Sequence, residues 1–552
     1  MKRLGEILIE QGVITPAQLQ IALSLQRAGL NKIIGEILIE IGFISSKELA
    51  QALAIQAGMP YEDLTLHTPS KEALLQLERS VAESLLVLPL DYENNIITLA
   101  IADPFDIRVL DYIHKRFAPN YKLVVSDKET INRYIQIYYS ELEEPIEERI
   151  NKLISSSVLD PNQIPHLLEN ILNYAIINRT TDIHIVPEVN ASHVFLRIDG
   201  FLSHFFTLPR EIHNPFVSRI KVLANMDIAE QRLPQDGAFS YSFLDEHYDM
   251  RVSTLPTPFG ESIVLRVLPK KISLFNISNL GFSQDTLEML KLLLEKPNGI
   301  IIVTGPTGSG KTTTLYSLIR QIDFLSKNVV TVEDPIEYRF PFIRQTQVNE
   351  KAGYTFFTAV RHFLRHDPDV ILVGEIRDKE TAQIAIRASI TGHLVLTTLH
   401  TNNAVSTIAR LMDLGVDKYL IATSVRAILA QRLARKVCTF CKKPVKITVD
   451  YLISKGFPEE LISKYVKDSK EIEIYKGNGC ERCKGTGFLG RVAISELLII
   501  DDEIGNMILE GKSGYGLLNK AKEKGMRDLK EDGLVKILNG ITTPEEVIRV
   551  VG

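Results

Sequence analysis

Residues 305–312 read GPTGSGKT, and this glycine-rich stretch decides how the chain folds. Ile300–Val303, directly before it, is apolar and β-branched like a buried strand, and Thr313–Ile322, after it, has helical periodicity. A strand, a turn with G-x-x-x-x-G-K-S/T spacing and a helix form the context in which backbone N–H groups and a helix dipole hold phosphate. The sequence therefore predicts a phosphate loop that binds a nucleoside triphosphate.

The loop residues have separate predicted roles. Its glycines allow successive N–H groups to converge on a phosphate, Lys311 is expected to reach the outer phosphates, and the Thr312 hydroxyl is expected to bind Mg²⁺. We predict nucleotide contacts from Gly305, Pro306, Thr307, Gly308, Ser309, Gly310, Lys311, Thr312 and Thr313.

Polar side chains follow three further apolar segments of the chain. The predicted strands are Val329–Val332, Val370–Val373 and Leu394–Leu399, and the polar residues after them are Glu333, Glu375 and His400. Because the carboxyl ends of parallel strands meet at the edge where open α/β sheets bind ligands, these groups are expected beside the phosphate loop. The sequence thus predicts a doubly wound NTPase sheet, with one acid near Mg²⁺ and another that polarises water.

Length and composition set the broad class of protein. A chain of 552 residues predicts three or four domains, and 45% hydrophobic with 24% charged residues is ordinary for a globular protein. A net charge of −5 gives no basic field that would attract nucleic acid or anionic lipid. Glu6 and Glu10 interrupt the apolar stretch that a signal peptide needs, and no apolar run approaches the roughly 20 residues of a membrane span. We therefore expect a cytoplasmic protein.

Residues 163–275 are predicted to form a middle α+β domain. Val194–Ile198 alternates as a strand and runs into a hairpin signal. A predicted helix over Phe216–Met226 has Arg219 and Lys221 on its polar side, and Gln235-Asp236-Gly237 predicts a second turn.

Two strands of this middle domain each carry an arginine. They are Tyr248–Ser253 with Arg251 and Ser262–Val267 with Arg266. A strand arginine is most often a surface charge or an ion-pair partner. An NTPase, however, needs a guanidinium to offset charge developing on the γ-phosphoryl group, often from another subunit, and these two arginines are candidates for that role.

The first 62 residues contain a tandem repeat with a period of 30 residues. Gly5, Leu8, Gly12, Leu19, Leu23 and Gln26 recur as Gly35, Leu38, Gly42, Leu49, Leu53 and Gln56. Each copy predicts two short helices, with capping residues at Thr15 and Ser45. One interpretation is a small helical docking module. Residues 63–140 then predict a small α/β domain with no evident chemistry, and the charged residues 141–162 predict a linker or solvated helix.

All four cysteines lie in two C-x-x-C pairs, Cys438 with Cys441 and Cys480 with Cys483. Four thiolates are the ligands that a tetrahedral structural zinc prefers. The 38 residues between the pairs exceed the usual spacing of about 15–20, and a helical excursion over Asp450–Asp468 accounts for the excess. Two unrelated pairs of reduced cysteines are the alternative. We assign residues 436–498 to a zinc-binding arm and 499–552 to C-terminal helices that end in a small bundle.

Several segments resemble those of the type II/type IV secretion superfamily ATPases. TVEDPIEY (Thr331–Tyr338), LRHDPDVILVGEIRD (Leu364–Asp378) and TGHLVLTTLHTNNA (Thr391–Ala404) are similar to the family's Asp box, Walker B and His box. Thr181–His184, Arg197–Gly200, Gln235–Gly237 and Gly479–Leu498 match its middle domain and its cysteine insertion. The chain is thereby identified as a member of the assembly-type PilB/GspE motors. The resemblance implies a RecA-like P-loop domain over residues 276–435 and a PAS-like middle domain.

Site roles also follow from the resemblance. It implies that Glu333 is the base that polarises the attacking water and that Glu375 supports the Mg²⁺ shell together with Thr312. His400, with His393 as a second candidate, would sense the γ-phosphate. Arg251 and Arg266 would complete the site.

The resemblance further implies a hexameric ATPase recruited to the inner membrane by a platform protein, with no direct nucleic-acid contact. Such a motor assembles type IV pili or drives the equivalent type II secretion step. A nucleic-acid motor and a non-hydrolysing sensor are the rival interpretations. The absence of tryptophan and the net charge of −5 argue against the first, and Lys311, Glu333 and Glu375 argue against the second.

RLGEILIEQG, at the start of the repeat, resembles the tandem MshEN-like motif that binds cyclic di-GMP in some of these motors. By that resemblance Arg3 faces a guanine or phosphate, and Gly5 and Gly35 allow close backbone approach. The second copy departs from the motif, because Ile33 stands where a second arginine would be.

Overall fold

A computed structural model describes residues 2–29, 32–155, 163–270, 275–466, 471–512 and 514–552. The chain divides into two compact units, one of residues 1–14 and 29–272 and the other of residues 15–28 and 273–552. Within the described ranges, every helix is too short or too polar to cross a bilayer.

The N-terminal repeat forms four helices, as predicted. They are α1 (Leu4–Glu10), α2 (Pro16–Arg27), α3 (Ile34–Glu40) and α4 (Ser46–Ala57). The Thr15 hydroxyl accepts a hydrogen bond from the N–H of Gln18, and the Ser45 hydroxyl accepts one from the N–H of Glu48. These capping residues fix where the longer helix of each copy begins.

The small α/β domain is built on a three-stranded sheet in the order β1-β2-β3. Its elements are α5 (Lys71–Leu74), α6 (Arg79–Leu85), β1 (Val87–Glu93), β2 (Ile96–Ile101), α7 (Ile107–Phe117), β3 (Tyr121–Val125) and α8 (Lys128–Glu143). The predicted linker over 141–162 is wrong as far as the structure describes it. Helix α9 (Ile146–Ser155) buries Ile146 and Ile150 in the middle-domain core, and residues 156–162 lie outside the described ranges.

The middle domain is a six-stranded antiparallel sheet in the order β6-β5-β4-β9-β8-β7, and its apolar core also includes residues of helix α9 and of two further helices. Its elements are α10 (Ile164–Ile177), β4 (Thr180–Pro187), β5 (Ala191–Ile198), β6 (Phe201–Pro209), α11 (Arg210–Leu223), β7 (Gln235–Phe243), β8 (Glu246–Thr257) and β9 (Gly260–Pro269). The α+β prediction is confirmed. Buried positions alternate with more exposed ones along β5 and β9, as they do when one face of a sheet covers a core.

Two local predictions for this domain are wrong. Gln235-Asp236-Gly237 opens strand β7 and is not a turn; Gly237 is needed because a Cβ there would lie 2.4 Å from the carbonyl oxygen of Ala224. Lys221 does not face solvent. Its Nζ is buried, donates to the Glu230 carbonyl at 2.7 Å and pairs with Glu261 at 2.8 Å, which satisfies the charge inside the fold.

The second unit contains a seven-stranded sheet in the order β12-β11-β13-β14-β10-β15-β18, parallel except for β18. Its elements up to β15 are α12 (Gln284–Leu294), β10 (Gly299–Thr304), α13 (Lys311–Ile319), β11 (Val329–Glu333), β12 (Arg344–Gln347), α14 (Phe356–Phe363), β13 (Val370–Val373), α15 (Lys379–Ile390), β14 (Leu394–Leu399), α16 (Ala404–Asp413), α17 (Lys418–Ser424) and β15 (Val425–Val437). Successive residues of β10 enter different apolar cores on the two faces. The predicted doubly wound sheet is confirmed.

The cysteine arm is an insertion between two strands of this sheet. It contains β16 (Lys442–Thr448), α18 (Val449–Ser454), α19 (Glu459–Tyr465) and β17 (Glu471–Gly477), and the chain then returns as β18 (Phe488–Ile499). Because β18 pairs with β15 from Val437 to Ala427, the sheet continues to Ile499 and the predicted boundaries of the arm at 436 and 498 are too wide. Of the predicted excursion, Lys467 and Asp468 lie outside the described ranges.

Four helices end the chain: α20 (Asp502–Leu509), α21 (Tyr515–Glu523), α22 (Leu529–Leu538) and α23 (Pro544–Val551). The helices are predicted correctly, but they do not form one bundle. Ile504 and Leu517 of the first pair belong to the sheet's apolar core, whereas Leu534 and Val547 of the second pair pack with the arm. The C-terminal helices therefore join the arm to the nucleotide-binding sheet.

Candidate functional site

The predicted phosphate loop joins β10 to α13. Gly310, directly before the helix, has a φ of +90°, and Gly305 approaches β15 so closely that a Cβ there would lie 2.5 Å from the Gln431 carbonyl oxygen. Larger residues would be strained or would clash at these positions. Thr312 is exposed in the first turn of α13, at the end of the helix where N–H groups attract phosphate.

Gln431, on β15, fixes the loop from behind. Its Nε2 donates to the Ser309 carbonyl at 2.6 Å, and its Oε1 accepts from the Thr314 hydroxyl at 2.8 Å. The side chain is 1% exposed, so these bonds are made without competition from water. This residue was not predicted from the sequence, where its signal is an amide directly after the apolar run of residues 427–430.

The ammonium group of Lys311 is held by its own loop. Nζ donates to the carbonyls of Gly305 at 2.8 Å and Pro306 at 3.1 Å, and it lies 3.5 Å from Nδ1 of His400. Burial lowers the pKa of Lys311 to about 8, with the carboxylate of Glu375 opposing and the guanidinium of Arg432 adding to the shift. A phosphate group would replace the carbonyls as the partner of this ammonium.

Glu375 and His400 follow neighbouring strands, β13 and β14, and the structure brings them together. The Nε2 atom of His400 lies 3.4 Å from Oε2 of Glu375. Arg377 pairs with the other oxygen of Glu375, and its NH1 lies 3.5 Å from Oδ2 of Asp334. Lys311, His400 and Glu375 thus form a continuous polar chain at the predicted ligand-binding edge.

Glu333 is placed differently. It is the last residue of β11, only 4% exposed, and its carboxylate accepts hydrogen bonds from the hydroxyls of Tyr316 and Thr331 (2.5 Å) and from Nε2 of Gln345 (3.1 Å). Burial raises the pKa of Glu333, and these hydrogen bonds oppose the rise. Three donors leave this carboxylate little capacity to bind water.

His393, the second candidate sensor, lies at the opposite end of the strands from the phosphate loop. His393 directly precedes β14, and the first residue of β14 pairs with Gly299 at the start of β10. The phosphate loop follows Thr304, at the other end of β10, which pairs with Leu399. Six strand residues span about 17–20 Å. The Nδ1 atom of His393 lies 2.8 Å from the Ala388 carbonyl oxygen, so it does not reach a phosphate on its own subunit's loop.

Arg251 and Arg266 are register partners on the adjacent strands β8 and β9. The Nε atom of Arg266 donates to Oδ1 of Asp182 at 3.0 Å, and Arg266 is about half exposed. The middle domain therefore presents the two predicted arginines side by side, with Asp182 orienting one of them.

In the N-terminal repeat, Arg3 is exposed and its backbone N–H donates to Glu6 at 3.0 Å in front of α1. Gly5 is buried. A Cβ on Gly35 would lie 2.7 Å from Cδ1 of Leu49, so this glycine allows the close packing of a leucine. Side-chain packing thus accounts for Gly35 without a ligand.

The four cysteines converge, although 38 residues separate the pairs. All four Sγ atoms lie within 4.8 Å of one another, and the contacts Cys438–Cys480, Cys441–Cys483 and Cys480–Cys483 measure 3.8, 3.8 and 3.6 Å. A tetrahedron with Zn–S bonds of about 2.3 Å has S···S edges of about 3.8 Å, so the donor set fits zinc. Although burial opposes the shift, the N–H groups of Cys480 and Gly487 lower the pKa of Cys483 to about 7.

These features define a P-loop nucleotide-binding protein with a doubly wound sheet. The family model for type II/IV secretion system proteins matches residues 158–549, so the chain belongs to that family. The MshEN domain model matches residues 57–145, which is the small α/β domain and not the tandem repeat.

Two relatives are named type IV pilus assembly ATPase PilB. The Thermus thermophilus protein is 43% identical over 89% of this chain, which spans only 56% of that relative's length. The Myxococcus xanthus protein is 37% identical over 99% of this chain and 98% of its own length. A type II secretion system protein E from Dickeya dadantii is 44% identical over 71% of this chain and 76% of its own length.

The low pKa of Lys311 predicts how nucleotide affinity depends on pH. Contact with phosphate raises the pKa of Lys311 in the complex. Above pH 8 the free lysine has lost its proton, so nucleotide binding must take up a proton there. Affinity for a non-hydrolysable Mg-ATP analogue should fall more than about tenfold between pH 7.5 and 9.5. Lys311→Arg, whose charge does not titrate there, is the control. Calorimetry that finds the same affinity for the wild type throughout this range would contradict the assignment.

The cysteine cluster predicts about one zinc per chain by elemental analysis of protein purified without chelator. Cys480→Ser should lose the metal and lower the thermal stability of the arm, because the closed site contributes to folding. Ser463→Ala, in the same arm but away from the cluster, is the control. A wild-type protein that is folded and metal-free would rule out the zinc site.

Proposed function

We propose that this chain is a Mg²⁺-dependent ATPase that powers type IV pilus assembly. The observation that carries the proposal is the polar chain of Lys311, His400 and Glu375 beside a phosphate loop on a secretion-family sheet. Hydrolysis forms a bond from a water oxygen to the γ-phosphorus and breaks the bond to the ADP oxygen, and a carboxylate takes the proton of the water.

The loop residues would hold the nucleotide through their N–H groups and the Lys311 ammonium. Thr312 and Glu375 offer the oxygen ligands that Mg²⁺ prefers, and bound Mg²⁺ would offset charge on the β- and γ-phosphates. His400 contacts both Lys311 and Glu375, so it can respond to the loss of the γ-phosphate. Binding would also require Lys311 to leave its own carbonyls.

We assign the water-polarising role to Glu337 in place of Glu333. Glu333 is buried and accepts three hydrogen bonds, which suits a residue that positions the Asp box. Glu337, in the same box, is half-buried in the loop after β11, and its N–H donates to the Tyr316 hydroxyl at 3.2 Å. Tyr316 thereby links the buried carboxylate of Glu333 to the loop that carries Glu337.

Motion would arise if the middle domain and the nucleotide-binding domain both contributed residues to one phosphate site. We propose that Arg251 and Arg266 complete the phosphate site of their own or a neighbouring subunit in a hexameric ring, so that ATP favours closure and product release permits opening. The ring would act in the cytoplasm on an inner-membrane platform protein and so help to insert pilin subunits.

The extent of the matches favours pilus assembly over type II secretion. The Myxococcus relative matches almost the full length of both chains, including the N-terminal domains, whereas the Dickeya type II protein matches 71% of this chain. The type II motor remains the alternative, since both share the catalytic sheet. Protein partners that co-purify with the chain distinguish the two functions. Pilins and a pilus platform protein would support pilus assembly, and pseudopilins would support type II secretion.

Three substitutions test the catalytic roles in steady-state ATP turnover. Glu375→Gln and Glu337→Gln should each lower kcat about a hundredfold or more, because each removes a charge that acts in the transition state. Glu333→Gln should instead lower the unfolding temperature and retain most of the turnover per folded molecule. If the wild type hydrolyses ATP no faster than the buffer blank, the chain is a non-hydrolysing sensor. If Glu333→Gln is folded but inactive, Glu333 is the residue that polarises the attacking water.

The N-terminal region is proposed to bind cyclic di-GMP, on the resemblance of RLGEILIEQG and the MshEN match at residues 57–145. Calorimetry of the full chain with cyclic di-GMP should give saturable heat that Arg3→Ala reduces about tenfold in affinity, since a charge-assisted contact is lost. Arg27→Ala, in the same repeat, is the control. The absence of heat at high ligand concentration would end this proposal.

A further inference from the structure

A second polar cavity lies next to the candidate ATP site. It has a volume of about 450 Å³ and is lined by Ile376, Arg377, Leu399, His400 and Arg410. The lining comes from the segment that follows β13, from the end of β14 with the residue after it, and from helix α16. None of the residues that line it belongs to the phosphate loop, so the cavity adjoins the nucleotide position without being part of the loop's own cradle.

The charges around this cavity favour an anion. Arg377 pairs with Glu375 and lies 3.5 Å from Asp334, so it offsets part of the negative charge of these two carboxylates beside the cavity. In the part of the chain that the structure describes, Arg410 makes no ion pair or side-chain hydrogen bond, so its five N–H donors are directed to solvent and the cavity. His400 adds a ring nitrogen, and buried Ile376 and Leu399 supply an apolar wall that lowers the local dielectric.

The position of His400 connects this cavity to the reaction. Its Nδ1 atom lies 3.5 Å from the Lys311 ammonium, and its ring lines the cavity. An anion that leaves the proposed γ-phosphate position and passes His400 would therefore enter a space lined by the guanidinium of Arg410 and by that of Arg377, which already pairs with Glu375. The cavity has room for a tetrahedral anion with several waters, since each water occupies about 30 Å³ in the liquid.

We propose that this cavity is a binding site for orthophosphate, the anion that hydrolysis releases, and that Arg410 is its principal ligand. Guanidinium groups suit phosphate because their planar N–H pairs match two of its oxygens. The site holds phosphate after cleavage and before it reaches solvent. This inference rests on the proposed ATPase activity, because hydrolysis supplies the phosphate.

Equilibrium calorimetry tests the site without turnover. Inorganic phosphate is titrated into the zinc-containing full chain in the presence of saturating MgADP, which fills the nucleotide site. Arg410→Gln should weaken phosphate binding about tenfold to a hundredfold, since one charge-assisted contact is lost, and Arg410→Lys should weaken it less. Arg387→Gln, an exposed arginine on the neighbouring helix α15 that does not line the cavity, should bind phosphate like the wild type.

Two results would overturn the proposal: no saturable heat for the wild type at high phosphate concentration, or the same affinity in the wild type and Arg410→Gln. The first would also fit a cavity filled by an acidic side chain from a second copy of the chain. Matching thermal unfolding curves show that the variants are folded. If phosphate binds through Arg410 but the wild type does not hydrolyse ATP, the site stands and the proposed function fails.

Discussion

The phosphate loop can hold a triphosphate only while its backbone keeps one conformation, and the hydrogen bonds of Gln431 enforce that conformation. The amide joins the Ser309 carbonyl to the Thr314 hydroxyl across β15 and α13. Because β15 also pairs with β18, which returns from the cysteine arm, the same strand connects the loop to the arm and its C-terminal helices. The arm and the phosphate loop are therefore both connected to strand β15.

Charge neutralisation organises the rest of the site. In this structure Lys311 is held by loop carbonyls and Glu375 by Arg377, so both groups that face a Mg-nucleotide already have partners. In the proposed function, nucleotide binding would exchange these contacts for stronger ones with phosphate and metal. His400 contacts both groups, so it would be affected by the exchange at either one. The nucleotide would thus change a connected set of charges and not one contact.

Much of this arrangement can be predicted from sequence because the signals are local. The glycine spacing of the loop, the apolar strands, the capping residues Thr15 and Ser45 and the C-x-x-C pairs each depend on a few neighbouring residues. Glu375 and His400 meet because parallel strands end at one edge, a rule that needs only the strand pattern. The fold of the second unit, and the meeting of Glu375 and His400 at its site, can therefore be predicted from the sequence.

What the sequence missed depends on contacts between distant residues. Glu333 ends an apolar strand and Glu375 follows one, but Glu333 is buried, where it accepts hydrogen bonds from the Tyr316 hydroxyl of helix α13 and from the Gln345 amide of strand β12. Lys221 is a charged residue that is expected at the surface, but it is buried and pairs with Glu261, which is 40 residues away in the sequence. The return of β18 to the sheet after the insertion has no local signal at all. Such tertiary contacts override the local pattern and cannot be predicted from it.

We propose that the arginines of the middle domain complete the nucleotide site. A cryo-electron microscopy structure of the full-length assembly with Mg²⁺ and a non-hydrolysable ATP analogue would show where these arginines lie. We expect the guanidinium groups of Arg251 and Arg266 within about 4 Å of phosphate oxygens, in the same or a neighbouring subunit. If both arginines lie far from every phosphate in a fully occupied ring, the proposal is wrong.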